Sequence, residues 1–112
     1  MNPLVGDLSH EEFWVIYLNN SNKVLTKLQM SKGGIAGTLV DVRLVLKKAL
    51  ELGAVALIVV HNHPSGTLKV SQSDKNITQK IKEASSALDI KLLDHIIITE
   101  NDYISFADEG LL

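Results

Sequence analysis

The sequence contains no cysteine. That absence removes disulfides, thiol nucleophiles and thiolate zinc sites together, and it fits a reducing compartment. Positive charge is not concentrated anywhere either. Ten lysines and one arginine, Arg43, are scattered along 112 residues, and the formal net charge is -2. A phosphate backbone is recognised by a basic patch or stripe, so direct nucleic-acid binding by this domain alone is not expected. No apolar stretch reaches the length of a membrane span, and the N-terminus lacks a basic region followed by an apolar block. No membrane contact is expected, and the default location is cytoplasmic. Internal repeats and low-complexity tracts are missing too. What is left is an ordinary globular composition, 46% hydrophobic and 21% charged, with room for one domain and a modest core. The opening MNPLVGDLSH, residues 1–10, reads as a linker or expression start, and the chain as a piece of a longer protein. The domain itself is expected over residues 11–112.

The periodicities give an α/β order. FWVIYLN, 13–19, is rich in aromatic and β-branched residues and reads as a strand. NNSN makes a turn, and KVLTKLQM, 23–30, reads as its antiparallel partner. As an edge strand it invites pairing, so a homo-oligomer through this edge is one expectation. SKGGIAGT is a glycine-rich connection. From Asp41 the period changes: Val42, Val45, Leu46, Ala49 and Leu50 share one helical face, and Gly53 supplies a stop. AVALIVV, 54–60, is apolar at every position, which suits a central strand covered on both sides. A second helix begins near Ser71 and keeps helical spacing through Ile77, Ile81, Ala84 and Leu88. IKLLDHIIIT, 90–99, is another strand, and a turn at ENDY leads into a short last strand, YISFA. The order β-β-α-β-α-β-β describes a mixed β-sheet flanked by two main helices.

The chemistry concentrates in HNHPSGTLKVSQSD, 61–74. Residues i and i+2 of an extended chain point to one side, so His61 and His63 at the end of a central strand present two imidazoles to one point. Strand ends are favoured ligand sites in α/β sheets. Asp74 follows in the first turn of the next helix. Two histidines and an aspartate match the three protein ligands of a catalytic zinc site, which keeps a fourth position for water. The competing reading is local. Loop histidines are common, and Ser71-Gln72-Ser73-Asp74 fits a capping box with Ser71 as N-cap. The spacing alone leaves both open; the co-location of strand end, paired histidines and helix start favours a metal. Pro64, Ser65 and Gly66 shape the loop.

The pattern His61-x-His63, seven residues, Ser71, two residues, Asp74 resembles the JAMM signature of MPN-domain (JAB) metalloproteases. The wider string, HNHPSG with LLDHIII at 92–98 and YISF at 103–106, resembles the RadC family more closely, from about Glu11 onward. The resemblance implies the MPN (JAB, cytidine-deaminase-like) α/β fold. It implies Zn2+ held by His61, His63 and Asp74, and an upstream glutamate as general base. Two glutamates stand there, Glu11 and Glu12. Neighbours at a strand start point to opposite sides, so only one reaches the metal. The RadC-like "E-x-F" selects Glu11, before Phe13, while the spacing of other members is matched by Glu12. The implied reaction is hydrolysis of a peptide or isopeptide amide, with Ser71 donating to the developing oxyanion.

Other polar residues carry less. Asp94 and His95 interrupt an apolar strand. They read first as a hydrogen-bonded core pair or sheet-edge contact, and alternatively as support for a ligand histidine. His10 reads as exposed and idle. Related chains often show a Pro-Arg-Glu-like run where this one has Val42-Arg43-Leu44, so any role of that acid does not carry over. RadC relatives also carry a helix-hairpin-helix segment outside the stretch considered, whose DNA contacts do not carry over either. The alternative to a metallohydrolase is a non-catalytic binding or scaffold domain with a structural or vestigial metal. A nucleic-acid-processing hydrolase, suggested by the family's association with DNA repair, is disfavoured by the charge.

Overall fold

The alternation in β1 (Glu12–Leu18) sorts its side chains onto two faces. Phe13, Val15 and Tyr17 enter one apolar cluster, and Ile16 and Leu18 enter another. This is the period of two of an extended chain. The protein is seen as a computed structural model that describes residues 11–32, 40–63 and 69–112. His10, most of the glycine-rich connection and the Pro64–Gly66 turn lie outside the described residues.

β1 pairs antiparallel with β2 (Val24–Lys32) on one side and with β3 (Ala56–Asn62) on the other. The turn between β1 and β2 is tied by Asn19, whose side-chain oxygen accepts from the backbone N–H of Ser21 at 2.9 Å and of Lys23 at 3.0 Å. α1 (Val42–Leu52) starts at Asp41, whose carboxylate accepts from the Arg43 backbone N–H. It stops at Gly53, whose φ of 68° is the left-handed conformation that glycine adopts without a Cβ penalty. α2 (Gln72–Ala87) is the crossover that returns the chain to β4 (Lys91–Ile98), parallel to β3. β5 (Tyr103–Ser105) closes the sheet antiparallel to β4. The five strands lie in the order β2-β1-β3-β4-β5, so β2 is an outer strand, the edge position considered for KVLTKLQM. The expected α/β order and mixed sheet are present. No helix among the described residues is long and apolar enough to cross a membrane.

Two details depart from the expectations. β3 begins at Ala56, two residues into the apolar run, and runs on through Asn62, with His61 at its C-terminal end as expected. The covering is also asymmetric. Val42, Val45, Leu46 and Ala49 of α1 and Ile81 of α2 all belong to the cluster of Phe13, Val15, Tyr17, Leu57 and Val59. The cluster on the opposite face, with Ile16, Leu18, Ala56, Val60 and Ile98, contains no residue of either helix. Among the described residues the apolar run buries one face under helices and the other against strand side chains alone, a difference that hydrophobicity does not encode.

Tyr17 ties the main layers together. Its ring is fully buried, and its hydroxyl donates to the Val45 carbonyl of α1 at 2.9 Å. Burial pushes the phenol well above its ordinary pKa, so it stays a donor. Tyr17→Phe is expected to lower the unfolding free energy by about 1 kcal/mol, the usual net value of one hydrogen bond. Urea denaturation would register this as a lower midpoint with an unchanged slope.

Candidate metal centre

The site lies on the helix-covered face at the C-terminal end of β3. Phe13 of β1 pairs with His61 of β3, which places the histidine over the same face as the main core. His63 follows with the same parity. Its backbone N–H donates to the Ile98 carbonyl at 2.9 Å, which holds it alongside β4. The two imidazoles meet edge to face with centroids 4.7 Å apart.

Strand parity also separates the two glutamates. Glu11 shares the side of Phe13, and its Oε1 lies 2.7 Å from His61 Nε2. Glu12 goes the other way: its Oε1 accepts from Trp14 Nε1 at 3.0 Å, and its backbone N–H donates to Asn62 Oδ1 at 2.6 Å. Of the two, Glu11 is the one at the histidines. Its side chain keeps 29% of its surface exposed, while that of His61 keeps 4%.

Asp74 arrives from the start of α2. The capping box is complete: the Ser71 backbone N–H donates to Asp74 Oδ2 at 2.9 Å, and the Asp74 backbone N–H donates to Ser71 Oγ at 3.0 Å. The helix cap and the histidine contact are therefore roles of one carboxylate. Asp74 Oδ2 lies 3.4 Å from His63 Nε2, and Oδ1 lies 3.6 Å from His61 Nε2. Burial pushes the Asp74 carboxyl up, but the bonds from His63 and the Ser71 backbone, the nearby His61 and the Ser71 hydroxyl outweigh it. The result lies well below the usual carboxylate range. Asp74 is thus ionised. His61 is held below its ordinary value by burial, against the opposing pull of Asp74 and Glu11. Ser71 uses its hydroxyl oxygen as an acceptor in the cap, and its hydroxyl proton faces the Asp74 carboxylate.

The structure therefore brings Glu11, His61, His63, Ser71 and Asp74 to one place. Ligand atoms of Glu11, His61 and His63 all lie within 4.8 Å of one another. His61 Nε2 faces both Glu11 and Asp74. A ring nitrogen carries at most one proton, whereas a cation engages several nitrogen and oxygen donors at once. The arrangement is compatible with a bound metal ion; the carboxylate that groups with the two imidazoles is that of Glu11, while Asp74 stands beside them at 3.4 and 3.6 Å.

The pair Asp94–His95 divides between its two readings. Asp94 is structural: its carboxylate accepts from the Ser105 hydroxyl, from the Ala107 backbone N–H at 2.9 Å and from the His95 backbone N–H at 2.8 Å, which pins the turn after β5. His95 belongs to the site. It is fully buried, and its Nε2 lies 3.3 Å from His61 Nδ1. Its Nδ1 meets the Thr78 hydroxyl of α2. Burial holds the His95 imidazole down to about 3, with His61 and His63 adding to the effect against Asp74. Thr78 escaped the sequence reading. The available signal was its spacing: four residues after Asp74 in a predicted helix is the same helical face.

A family model described as "RadC-like JAB domain" matches residues 1–111. The chain is 66% identical over 111 residues to a UPF0758 protein of Flavobacterium johnsoniae, covering 99% of this chain and 48% of that protein. A UPF0758 protein of Porphyromonas gingivalis is 45% identical over 113 residues, with 100% of this chain and 50% of the relative covered. One of Acidithiobacillus ferrooxidans is 44% identical over 110 residues, with 98% and 49% covered. The chain thus spans about half the length of the curated relatives it matches.

Proposed function

The chain belongs to the RadC-like JAB domain family, and on that footing we propose that it is a zinc-dependent hydrolase of peptide or isopeptide amide bonds. The observation that carries the proposal is the Glu11 carboxylate. It is brought from fifty residues upstream to 2.7 Å from His61 Nε2, beside His63 and Asp74. His61, His63 and Asp74 are the proposed ligands, a nitrogen and oxygen set that suits zinc. When bound, zinc supplies Lewis acidity that activates water and polarises a carbonyl.

The chain's own groups do the rest. Asp74 suits a ligand because its capping box fixes the carboxylate before any cation arrives. Glu11 suits a base because it keeps partial access to solvent and is not locked by a cap. It accepts the proton of the attacking water and hands it to the leaving amine, so one carboxylate serves both halves of the reaction. The Ser71 hydroxyl donates to the oxyanion as the carbonyl carbon becomes tetrahedral. Phe13, buried with its ring centroid 6.0 Å from that of His61, keeps the underside of the site dry.

The test is metal content. After zinc supplementation and removal of excess, elemental analysis of the wild type should find about one zinc per chain. His63→Ala should hold almost none. Negligible zinc in both proteins would sink the site. Zinc in the wild type without cleavage across a broad panel of peptides and isopeptides would point instead to a binding domain with a structural metal.

A further inference from the structure

Below the ligand histidines runs a chain of hydrogen bonds that ends on the ligand helix. The Thr78 hydroxyl lies 2.7 Å from the Asp74 backbone carbonyl. The same oxygen meets His95 Nδ1, and His95 Nε2 faces His61 Nδ1 at 3.3 Å. Donor counting gives this chain one direction. A carbonyl only accepts, so the single hydroxyl proton of Thr78 goes to Asp74. His95 Nδ1 must then carry a proton and donate to the Thr78 oxygen. A neutral imidazole has one N–H, so His95 Nε2 is bare and accepts. His61 must donate to it from Nδ1, which leaves His61 Nε2 bare before the Glu11 oxygen at 2.7 Å, two acceptors face to face, a contact that a cation or a second proton on the ring reconciles.

We infer that Thr78 and His95 are positioning residues that fix the tautomer of His61, keeping its proton on Nδ1 and the lone pair of Nε2 free for the cation. The inference rests on the proposed metal site for its consequence, though not for the tautomer of His95. The surroundings favour a fixed relay. His95 is fully buried, its ring stacks on Phe106 with centroids 4.4 Å apart, and Phe13 meets it edge-on at 5.9 Å. The ring is sandwiched against rotation, and bulk water has no access to replace either of its partners. The relay also joins the two ligand-bearing elements. His61 sits on β3 and Asp74 on α2, and the relay starts from the backbone carbonyl of Asp74 itself.

Long-range proton–nitrogen NMR spectra of the ¹⁵N-labelled, metal-free protein read the tautomers directly. The wild type should show His95 protonated on Nδ1, and His61 protonated on Nδ1 once zinc is added. Thr78→Val keeps the side-chain shape and removes the hydroxyl. His95 should then move its proton to Nε2, and His61 should move its own to the cation-facing nitrogen. Zinc affinity, measured by chelator competition, should fall about 10–100-fold, the range for losing a hydrogen-bond partner of a ligand histidine. Thr78→Ser should restore both readouts. Melting curves would show that the variants remain folded. A folded Thr78→Val with wild-type tautomers and wild-type zinc affinity overturns the inference. So does a wild-type spectrum with the His95 proton on Nε2, which decides the matter even if Thr78→Val does not fold. A wild type with the expected His95 tautomer but no zinc affinity would instead count against the metal reading and leave the relay standing.

Discussion

Glu11→Gln is expected to keep its zinc and to lose peptide or isopeptide hydrolysis by about 10²–10⁴-fold, the usual contribution of a positioned general base. Glutamine preserves the size of the side chain and its ability to accept a hydrogen bond, but it takes no proton from water near neutral pH. Glu12→Gln should change hydrolysis little. Its carboxylate is on the other face of β1, where it accepts from the Trp14 indole. The pair of variants therefore tests strand parity as well as chemistry. Elemental analysis and a rate measured on one cleavable substrate suffice. If Glu11→Gln lost its zinc together with its activity, Glu11 would be a ligand, a role its distances to His61 and His63 also allow. If Glu12→Gln alone lost activity, the proposed base would be wrong by one residue.

Phe13→Ala should cost about 3–5 kcal/mol, as large-to-small changes at buried aromatic positions do. Phe13 keeps 2% of its surface exposed and supports the rings of both His61 and His95. A domain of this size holds about 5–15 kcal/mol in all, so the variant loses a large share of its stability. Guanidinium unfolding measures the loss. Zinc should return part of it, because a ligand that binds only the folded state adds about 2.7 kcal/mol at a hundred times its dissociation constant. A loss below 1 kcal/mol would mean that the ring is not the floor of the site.

The readable part of the site was the part that is local in sequence. His61, His63, Ser71 and Asp74 fall within fourteen positions, and alternation and capping rules place each of them. Glu11 was readable only as one of two, because a one-residue change at a strand start exchanges the faces. The pairing of Phe13 with His61 settles the parity. His95 and Thr78 were illegible for a different reason. A histidine within LLDHIII shows that something polar is buried, but its partner depends on the parallel register that sets Val59 against His95. A mid-helix threonine gives still less away, since its contact requires knowing which strand α2 crosses. The same limit applies to the core. The uniform apolarity of AVALIVV announced a central strand correctly, yet both helices contribute to the cluster on one face only.

The scatter of the donors along the chain has a kinetic corollary. Glu11 and His61 are fifty residues apart, and His61 and His95 are thirty-four apart. Such distant contacts form only after the intervening loops have closed, at an entropic cost that local helices do not bear. No isolated hairpin or helix of this domain contains the whole constellation. It comes into being when β1, β3 and β4 are side by side with α2 docked across them. If the proposed site takes its ion, acquisition is then a late event, and the appearance of a metal signal during refolding would time the completion of the sheet rather than its nucleation.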